Sequence, residues 1–162
     1  MDSQGKNAAE KANSDCTSGN SSIELKVQVG PNGKLPTRAT EHSAGLDLYS
    51  AHHCVILPWD SKRIDTDIKL SLPANHCALI KGRSGLAFKK SIFAFEGLLD
   101  QDYNGNIHVL IENRSRKPYR IKKHERIAQL VLCPYTRVTP VISSLTVWTT
   151  RGSHGFGSTG KF

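Results

Sequence analysis

The chain of 162 residues predicts an all-β fold of the sandwich, jelly-roll or barrel type, and two features of the sequence lead to that prediction. Apolar and polar residues alternate with a period of two in several segments, as expected for strands with one buried face. Turn-forming stretches separate these segments, and no apolar period of 3.6 residues persists for a dozen residues. The length suits one domain with its own core.

The predicted domain is flanked by two segments of different composition. Residues 1–22 are rich in Ser, Asn, Ala, Gly and Lys and have no large apolar side chain after Met1. Such a segment cannot bury enough surface to offset the entropy lost on ordering. We therefore predict a disordered N-terminal tail over residues 1–22, a β domain over residues 23–148 and a flexible, glycine-rich C-terminal arm over residues 149–162.

The predicted strands follow one another along the β domain. Ile23, Leu25, Val27 and Val29 alternate with polar residues and predict the first strand. Further strands are predicted at residues 54–57, 64–72, 77–80, 107–111, 127–132 and 138–142. The turn signals between them are PNG at 31–33, LPWD at 57–60, LPAN at 72–75 and NGN at 104–106. A single short helical turn is predicted from Ser84 to Lys90.

Charge and cysteine content narrow the class of protein. The formal charge of +8 suits a polyanionic partner, which could be nucleic acid, a membrane surface or a phosphorylated small molecule, or a basic surface without a specific partner. The cysteines at 16, 54, 77 and 133 form no C-x-x-C pair and predict free thiols in a reducing compartment. No apolar run reaches the ~18 residues of a membrane span, and no signal peptide is evident. We expect an intracellular protein, cytoplasmic or nuclear.

Residues 155–161, GFGSTGK, match the pattern G-x-x-x-x-G-K of a nucleotide-binding P-loop. A P-loop needs a helix after it and a Ser or Thr after its lysine, which reaches the metal. Here Phe162 follows Lys161 and the chain stops. The glycines are therefore expected to form a free strap that contacts phosphate rather than a P-loop.

Four further stretches place polar residues where a core would need bulk. Asp47 in AGLDLYSA (44–51) could be a functional acid or an aspartate that satisfies a strand end. Arg83 and Ser84 in GRSGLA (82–87) could bind an anion or form an ordinary glycine turn. Asp100 in EGLLDQDYNG (96–105) could act as a base toward water or cap the hairpin that the NG pair predicts. Gln129 in HERIAQLV (124–131) needs hydrogen-bond partners, which could be backbone groups.

Together with RGSHGFGSTG (151–160), these stretches resemble, in order and spacing, the five motifs of the trimeric deoxyuridine triphosphatases, the dUTPases. The resemblance covers about residues 23–160. It implies a β jelly roll, a homotrimer whose active sites each use all three subunits, and the hydrolysis of dUTP to dUMP and pyrophosphate. That reaction limits uracil incorporation into DNA and supplies dUMP for dTMP synthesis.

The resemblance also implies roles for individual residues. Asp100 would deprotonate the water that attacks the α-phosphorus, and Tyr103 would pack against the deoxyribose and exclude a 2′-hydroxyl. A hairpin over residues 93–99 would read uracil through its backbone. Mg²⁺ would bind the triphosphate, and Asp47 would hold its water shell. The other implied substrate-binding residues are Arg83, Ser84, Gly85, Gly97, Leu99, Gln129, Arg151, Phe156, Gly157, Ser158 and Thr159. Phe156 would stack on uracil from a neighbouring subunit.

Some positions depart from the family pattern, and two other functions remain open. His154 stands in the glycine-rich strap, His124 and Glu125 replace a common Gly-Asp, and Gly82 stands where proline or alanine is frequent. A dCTP deaminase on the same fold would need a glutamate beside the base, for which Glu96 is the candidate. A regulatory protein that binds the nucleotide without turnover is the second alternative. We expect dUTP as the small-molecule partner, with no stable nucleic-acid or membrane partner.

Overall fold

A computed structural model describes residues 23–144, in which strands dominate. The elements are β1 (Lys26–Val29), β2 (Thr37–Arg38), β3 (Leu46–Tyr49), β4 (Cys54–Ile56), β5 (Ser61–Asp65), β6 (Ile68–Ser71), β7 (His76–Lys81), α1 (Ser84–Lys90), β8 (Ile92–Ala94), β9 (Gly97–Leu99), β10 (His108–Asn113), β11 (Tyr119–Ile121) and β12 (Arg126–Pro134). The fold is an all-β jelly roll, as predicted, and α1 confirms the helical turn expected between Ser84 and Lys90. None of the described residues belongs to a helix long and apolar enough to cross a membrane.

The strands form antiparallel sheets, the largest of which has five strands in the order β2-β3-β12-β7-β9. A three-stranded sheet has the order β5-β10-β8, and two pairs, β1-β6 and β4-β11, complete the described fold. Because side chains alternate along a strand, each strand of the large sheet has an inner and an outer face. The inner face packs into the core and the outer face carries most of the polar residues discussed below.

The core fixes which face of each sheet points inward. Ala78 and Ile80 of β7 and Leu130 of β12 are buried on the inner face of the five-stranded sheet. Val109 and Ile111 of β10 bring the three-stranded sheet into the same cluster. Burying one Leu or Ile side chain is worth about 1.5–3 kcal/mol, so a register slip of one residue, which exchanges the two faces, would be strongly disfavoured.

The single strand predicted over residues 64–72 is two strands in the structure. Asp67 lies between β5 and β6 with φ of 51°, in the left-handed region, so the chain bends there. Its carbonyl oxygen accepts a hydrogen bond from Gly30 N, and its carboxylate accepts one from Asn32 N. The alternation of apolar residues continues across the bend because both strands contribute to the same core.

Three predictions about strands and turns were wrong. Residues 138–142 form no strand, and Val138, Val141 and Ile142 are exposed instead. The NG pair does not close a hairpin, because β9 before it pairs with β7 and β10 after it pairs with β5 and β8. No hairpin covers residues 93–99, since β8 and β9 also belong to different sheets. A dipeptide signal predicts a turn, but the burial of each strand decides its partners.

Candidate active site

A buried carboxylate holds two arginines at one end of the five-stranded sheet. Asp47 on β3 is 1% exposed. Its Oδ1 accepts a hydrogen bond from Arg83 Nε at 3.1 Å, and its Oδ2 accepts one from Arg126 Nη1 at 3.3 Å. Arg83 Nη1 also donates to the Arg126 carbonyl oxygen at 3.3 Å. One acid with two guanidinium groups leaves the cluster with a net positive charge, which suits a polyphosphate.

Gln129 lies beside this cluster, as the sequence predicted. In the register of the sheet it stands between Asp47 on β3 and Lys81 on β7, so the three side chains share the outer face. Gly45 makes room for it, because a Cβ at that position would lie 3.2 Å from Gln129 Cβ. The structure therefore brings together Asp47, Arg83 and Gln129, which come from three distant parts of the sequence.

Sequence reasoning missed Arg126 and Lys81 as members of this cluster. Arg126 lies three residues before Gln129, and strict alternation would place the two on opposite faces. The pairing of β12 with β3 shifts register between Arg126 and Ala128, and this bulge lets Arg126 reach Asp47. Lys81 donates to Glu96 Oε1 at 2.6 Å. The only sequence signal for Arg126 is its place three residues before Gln129 in HERIAQLV, and this spacing does not reveal a bulge.

Ser84 and Gly85 begin α1 directly after Arg83. Arg83 is the N-cap residue with extended backbone, and its carbonyl oxygen accepts hydrogen bonds from Leu86 N and Ala87 N. The first N–H groups of a helix have no carbonyl partner within it, so the amides of Ser84 and Gly85 can serve an anion beside Arg83. A Cβ at Gly85 would meet open space. These positions fit the predicted phosphate contacts.

Asp100 and Tyr103 lie together in the turn that follows β9. Asp100 is exposed, and its carbonyl oxygen accepts a hydrogen bond from Tyr103 N at 3.1 Å. Tyr103 is 42% exposed, and its hydroxyl donates to the Asn106 carbonyl oxygen at 2.8 Å. Gly105 passes against the phenol ring, where a Cβ would lie only 2.5 Å from Tyr103 Oη. The tyrosine ring is therefore held in a fixed position beside the exposed carboxylate.

The Asp100 turn and the arginine cluster lie at opposite ends of β7 in one chain. Leu99 pairs with Ala78, whereas Gln129 pairs with Lys81, three residues further along β7. Gly97 lies between these two ends, opposite Ile80. With one more residue to Asp100, the separation along the strands alone is four residues, or about 13 Å at ~3.3 Å per residue. The structure thus does not bring Asp100 together with Arg83 within one chain.

Several predicted site residues lie outside the described residues 23–144. They are Arg151, Phe156, Gly157, Ser158 and Thr159, together with His154. The predicted tail over residues 1–22 and the predicted arm over residues 149–162 also lie outside this range, so both stay predictions.

The described residues fit a magnesium ion held through water better than one held by a protein cage. Between residues 23 and 144, no group of three or more His, Cys, Asp or Glu side chains is arranged to hold a metal ion. Both oxygens of Asp47 bind arginines, but a carboxylate oxygen has a second lone pair that can accept from a metal-bound water. Mg²⁺ commonly keeps several waters and binds one or two carboxylates and substrate phosphates.

Comparisons with known proteins give the family of this chain. A family model described as dUTPase matches residues 31–160. The deoxyuridine 5′-triphosphate nucleotidohydrolase of Rickettsia typhi is 42% identical over 144 residues, which cover 85% of this chain and 97% of that protein. The Staphylococcus bacteriophage 80alpha dUTPase, solved with dUPNHPP, has a TM-score of 0.80 and 29% identity, and the match covers 86% of this chain and 100% of that one.

A second solved structure concerns metal binding. It is a point mutant of the dUTPase from phage phi11 of S. aureus, reported with the coordination of a structural Mg(II) ion. The TM-score is 0.68 with 25% identity, and the match covers 78% of this chain and 99% of that one.

The ordered arginine pair on the jelly roll defines a site that suits a phosphorylated ligand, and the curated relatives are named as nucleotidohydrolases. The family match spans most of the chain, and the Rickettsia relative matches over nearly its whole length. The chain belongs to the dUTPase family.

Proposed function

We propose that this chain hydrolyses dUTP to dUMP and pyrophosphate, by attack of water on the α-phosphorus. The observation that carries the proposal is the arginine pair on the buried Asp47, with Gln129 beside it on the same face. A buried acid fixes both guanidinium groups before substrate arrives, so little entropy is lost when they bind phosphate. The names of the curated relatives give the nucleotide as deoxyuridine triphosphate.

Asp100 is the proposed general base. It is exposed at the end of β9, where its carboxylate can accept a proton from a water molecule held at the α-phosphorus. Bound Mg²⁺ would offset the charge of the phosphate oxygens. Asp47 would orient waters of that metal through its free lone pairs. Arg83, Gln129 and the amides of Ser84 and Gly85 would hold the phosphates in place.

Tyr103 is the proposed filter against ribonucleotides. Its hydroxyl is bound to the Asn106 carbonyl oxygen, and Gly105 lies against its ring. A ring fixed in this way cannot move aside for a 2′-hydroxyl, so a deoxyribose fits and a ribose clashes. Gly97 and Leu99 on β9 offer backbone groups near the same turn and are proposed to contact the nucleotide.

A homotrimer with shared active sites is part of the proposal. Along the strand direction alone, Asp100 lies about 13 Å from the arginine cluster of its own chain, which is too far for both to serve one α-phosphorus. A neighbouring chain would supply the cluster. Leu98 on β9 is 61% exposed, and an exposed apolar side chain beside the Asp100 turn suits burial between protomers.

The C-terminal arm over residues 149–162 is proposed to complete the site from a neighbouring chain. Phe156 would stack on uracil, and Arg151, Ser158 and Thr159 would contact the γ-phosphate, with Gly157 allowing a close backbone approach. Closing such an arm excludes water other than the attacking molecule.

The deaminase alternative is disfavoured by the surroundings of Glu96. Its carboxylate accepts a hydrogen bond from Lys81 at 2.6 Å, and its side chain is 73% exposed. A glutamate that transfers protons to a base needs a carboxylate free for that base, whereas Glu96 is already paired with Lys81.

A substrate screen tests the proposal. We expect pyrophosphate release from dUTP in the presence of Mg²⁺ and little from UTP, dTTP or dCTP. Ammonia release from dCTP, lost in Glu96→Gln, would contradict the hydrolase and favour the deaminase. Tight binding of dUTP without pyrophosphate release would favour a regulatory protein.

A further inference from the structure

Two free cysteines face each other across adjacent strands near the Asp100 turn. Cys77 on β7 is the direct partner of Cys133 on β12, so both side chains are on the outer face of the large sheet. Both are partly exposed free thiols. We propose that this pair forms a reversible intramolecular disulfide under oxidising conditions, and that closing it slows turnover.

The backbone spacing permits the bond. Two residues further along the ladder, Tyr135 N donates to the Asn75 carbonyl oxygen at 2.9 Å, which marks a hydrogen-bonded pair. Such pairs recur at every second position, so Cys77 and Cys133 also form one, with an expected Cα separation of about 5.5 Å. Disulfides usually join Cα atoms ~4.4–6.8 Å apart. The Cα separation of the pair therefore lies within the range of disulfides, and the Cβ atoms must approach each other to form the bond.

The chemistry needs an external oxidant, for which a small-molecule disulfide such as glutathione disulfide suffices. One cysteine thiolate attacks a sulfur of the oxidant, which releases one glutathione and leaves a mixed disulfide. The second cysteine thiolate then attacks the protein sulfur of that mixed disulfide and releases the second glutathione. Cys77 and Cys133 together lose two protons and two electrons, and the oxidant becomes two glutathione thiols.

The disulfide would act on the proposed catalytic turn through two connections. Leu99 pairs with Ala78, which is next to Cys77, so Asp100 follows the part of β9 held by this end of β7. Gln101 Oε1 accepts a hydrogen bond from Asn75 N at 2.9 Å and one from the Tyr135 hydroxyl at 3.3 Å. The turn is thus tied to both strands that carry the cysteines.

Closing the bond would move these strands relative to each other. Facing Cβ atoms in a hydrogen-bonded pair are about 5.5 Å apart, whereas a disulfide holds them at about 3.8 Å. The strand ends must therefore approach, and the Asp100 turn must follow. A displacement of about 1 Å in a reacting group can lower turnover up to 100-fold. The arginine cluster lies at the other end of β7 and would be disturbed less.

The experiment uses the full-length protein, oxidised with glutathione disulfide and then freed of oxidant. We expect an intact mass lower by two hydrogen atoms and a peptide that joins Cys77 to Cys133. We also expect kcat for dUTP to fall about tenfold or more, with KM changed less than threefold, and dithiothreitol to restore kcat. Cys77→Ser and Cys133→Ser should each keep the kcat of the reduced protein and lose its sensitivity to oxidation.

Cys54→Ser is the matched control, because Cys54 is also partly exposed but lies on β4, in a different sheet. This variant should still form the disulfide and still lose turnover. Stable glutathione adducts alone, or disulfides between protomers, would overturn the proposal. A Cys77–Cys133 disulfide with unchanged kcat would overturn its regulatory half. The effect on kcat rests on the proposed function, whereas formation of the disulfide does not. The mass measurement therefore distinguishes a failure of the disulfide proposal from a failure of the proposed function.

Discussion

Asp47 and Asp100 are the same residue type in opposite surroundings, and their proposed roles differ for that reason. Asp47 is buried and has a guanidinium group on each oxygen, so its negative charge is already used to orient Arg83 and Arg126. Asp100 is exposed after β9, and no hydrogen bond occupies its carboxylate among the described residues. A base must have a free lone pair for the proton of water, which Asp100 has.

Replacing Asp100 with Asn tests this role. An amide oxygen is a far weaker base than a carboxylate, so we expect kcat for dUTP to fall about 10²–10⁴-fold. Affinity for a non-hydrolysable dUTP analogue should stay within about threefold, since the arginine cluster is unchanged. Pyrophosphate release and calorimetric titration measure the two quantities. Asp102→Asn, which changes a second exposed acid of the same turn, is the control and should keep its kcat. Equal kcat in wild type and Asp100→Asn would show that Asp100 is not the general base.

The limits of prediction at this scale follow from what a linear pattern contains. The motif order was enough to select Asp47, Arg83 and Gln129, which the structure brings together. It could not select Arg126, because a β-bulge changes which face a residue occupies without any clear sequence mark. It also could not show that Asp100 lies far from the cluster in its own chain.

At the scale of elements, the turn between β11 and β12 places a histidine where the backbone conformation favours glycine, and hydrogen bonds hold it there. His124 has φ of 61°, in the left-handed region. Its N donates to the Ser50 carbonyl oxygen, and its Nε2 lies 3.0 Å from the Asn32 carbonyl oxygen. Glu125 accepts from the Tyr119 hydroxyl at 2.5 Å, and burial together with this bond raises the pKa of Tyr119. The positive φ at position 124 explains why the family commonly has a glycine there.

Two substitutions at His124 separate backbone strain from the contacts of the imidazole. His124→Gly and His124→Ala both lose the contact with Asn32, but only glycine adopts positive φ without strain. We therefore expect His124→Gly to be more stable than His124→Ala by about 1 kcal/mol. Urea unfolding at a single protein concentration measures the difference, because the stability of an oligomer depends on concentration. Equal stability of the two variants would show that the strain is negligible.

Strand length and composition together decided which elements the sequence could predict. The six-residue β10 shows a clear period of two, whereas β7, β12 and the three-residue β4 were predicted from their β-forming side chains. Strands of two or three residues, such as β2 and β11, are too short for a period to appear. Residues 138–142 show the reverse error, because β-forming side chains do not make a strand without a partner to pair with.

At the scale of the whole molecule, each chain is proposed to carry two half-sites that are completed by those of other chains. The Asp100 turn is at one end of β7 and the arginine cluster is at the other. The formal charge of +8 helps a triphosphate to approach, whichever chains form the site. Assembly is therefore expected to be required for turnover, and not only for stability.

Mixing two inactive variants tests whether the site is shared. Asp100→Asn lacks the base, and Arg83→Ala lacks a phosphate ligand while Arg126 remains on the buried Asp47 and keeps its charge paired. Each variant alone should be nearly inactive. Refolded together in equal amounts, they should recover about one quarter of wild-type kcat, because a site that takes Asp100 from one chain and Arg83 from the next finds both intact with that frequency in random trimers.

The control mixture replaces Arg83→Ala with a double variant that carries both substitutions. No chain in that mixture has Asp100, so it should recover no activity although it assembles to the same extent. Size-exclusion chromatography with light scattering confirms equal assembly of the two mixtures. Failure of the first mixture to exceed the control would mean that Asp100 and Arg83 act within one chain. The strand spacing of about 13 Å would then have to be bridged by a large movement of the Asp100 turn.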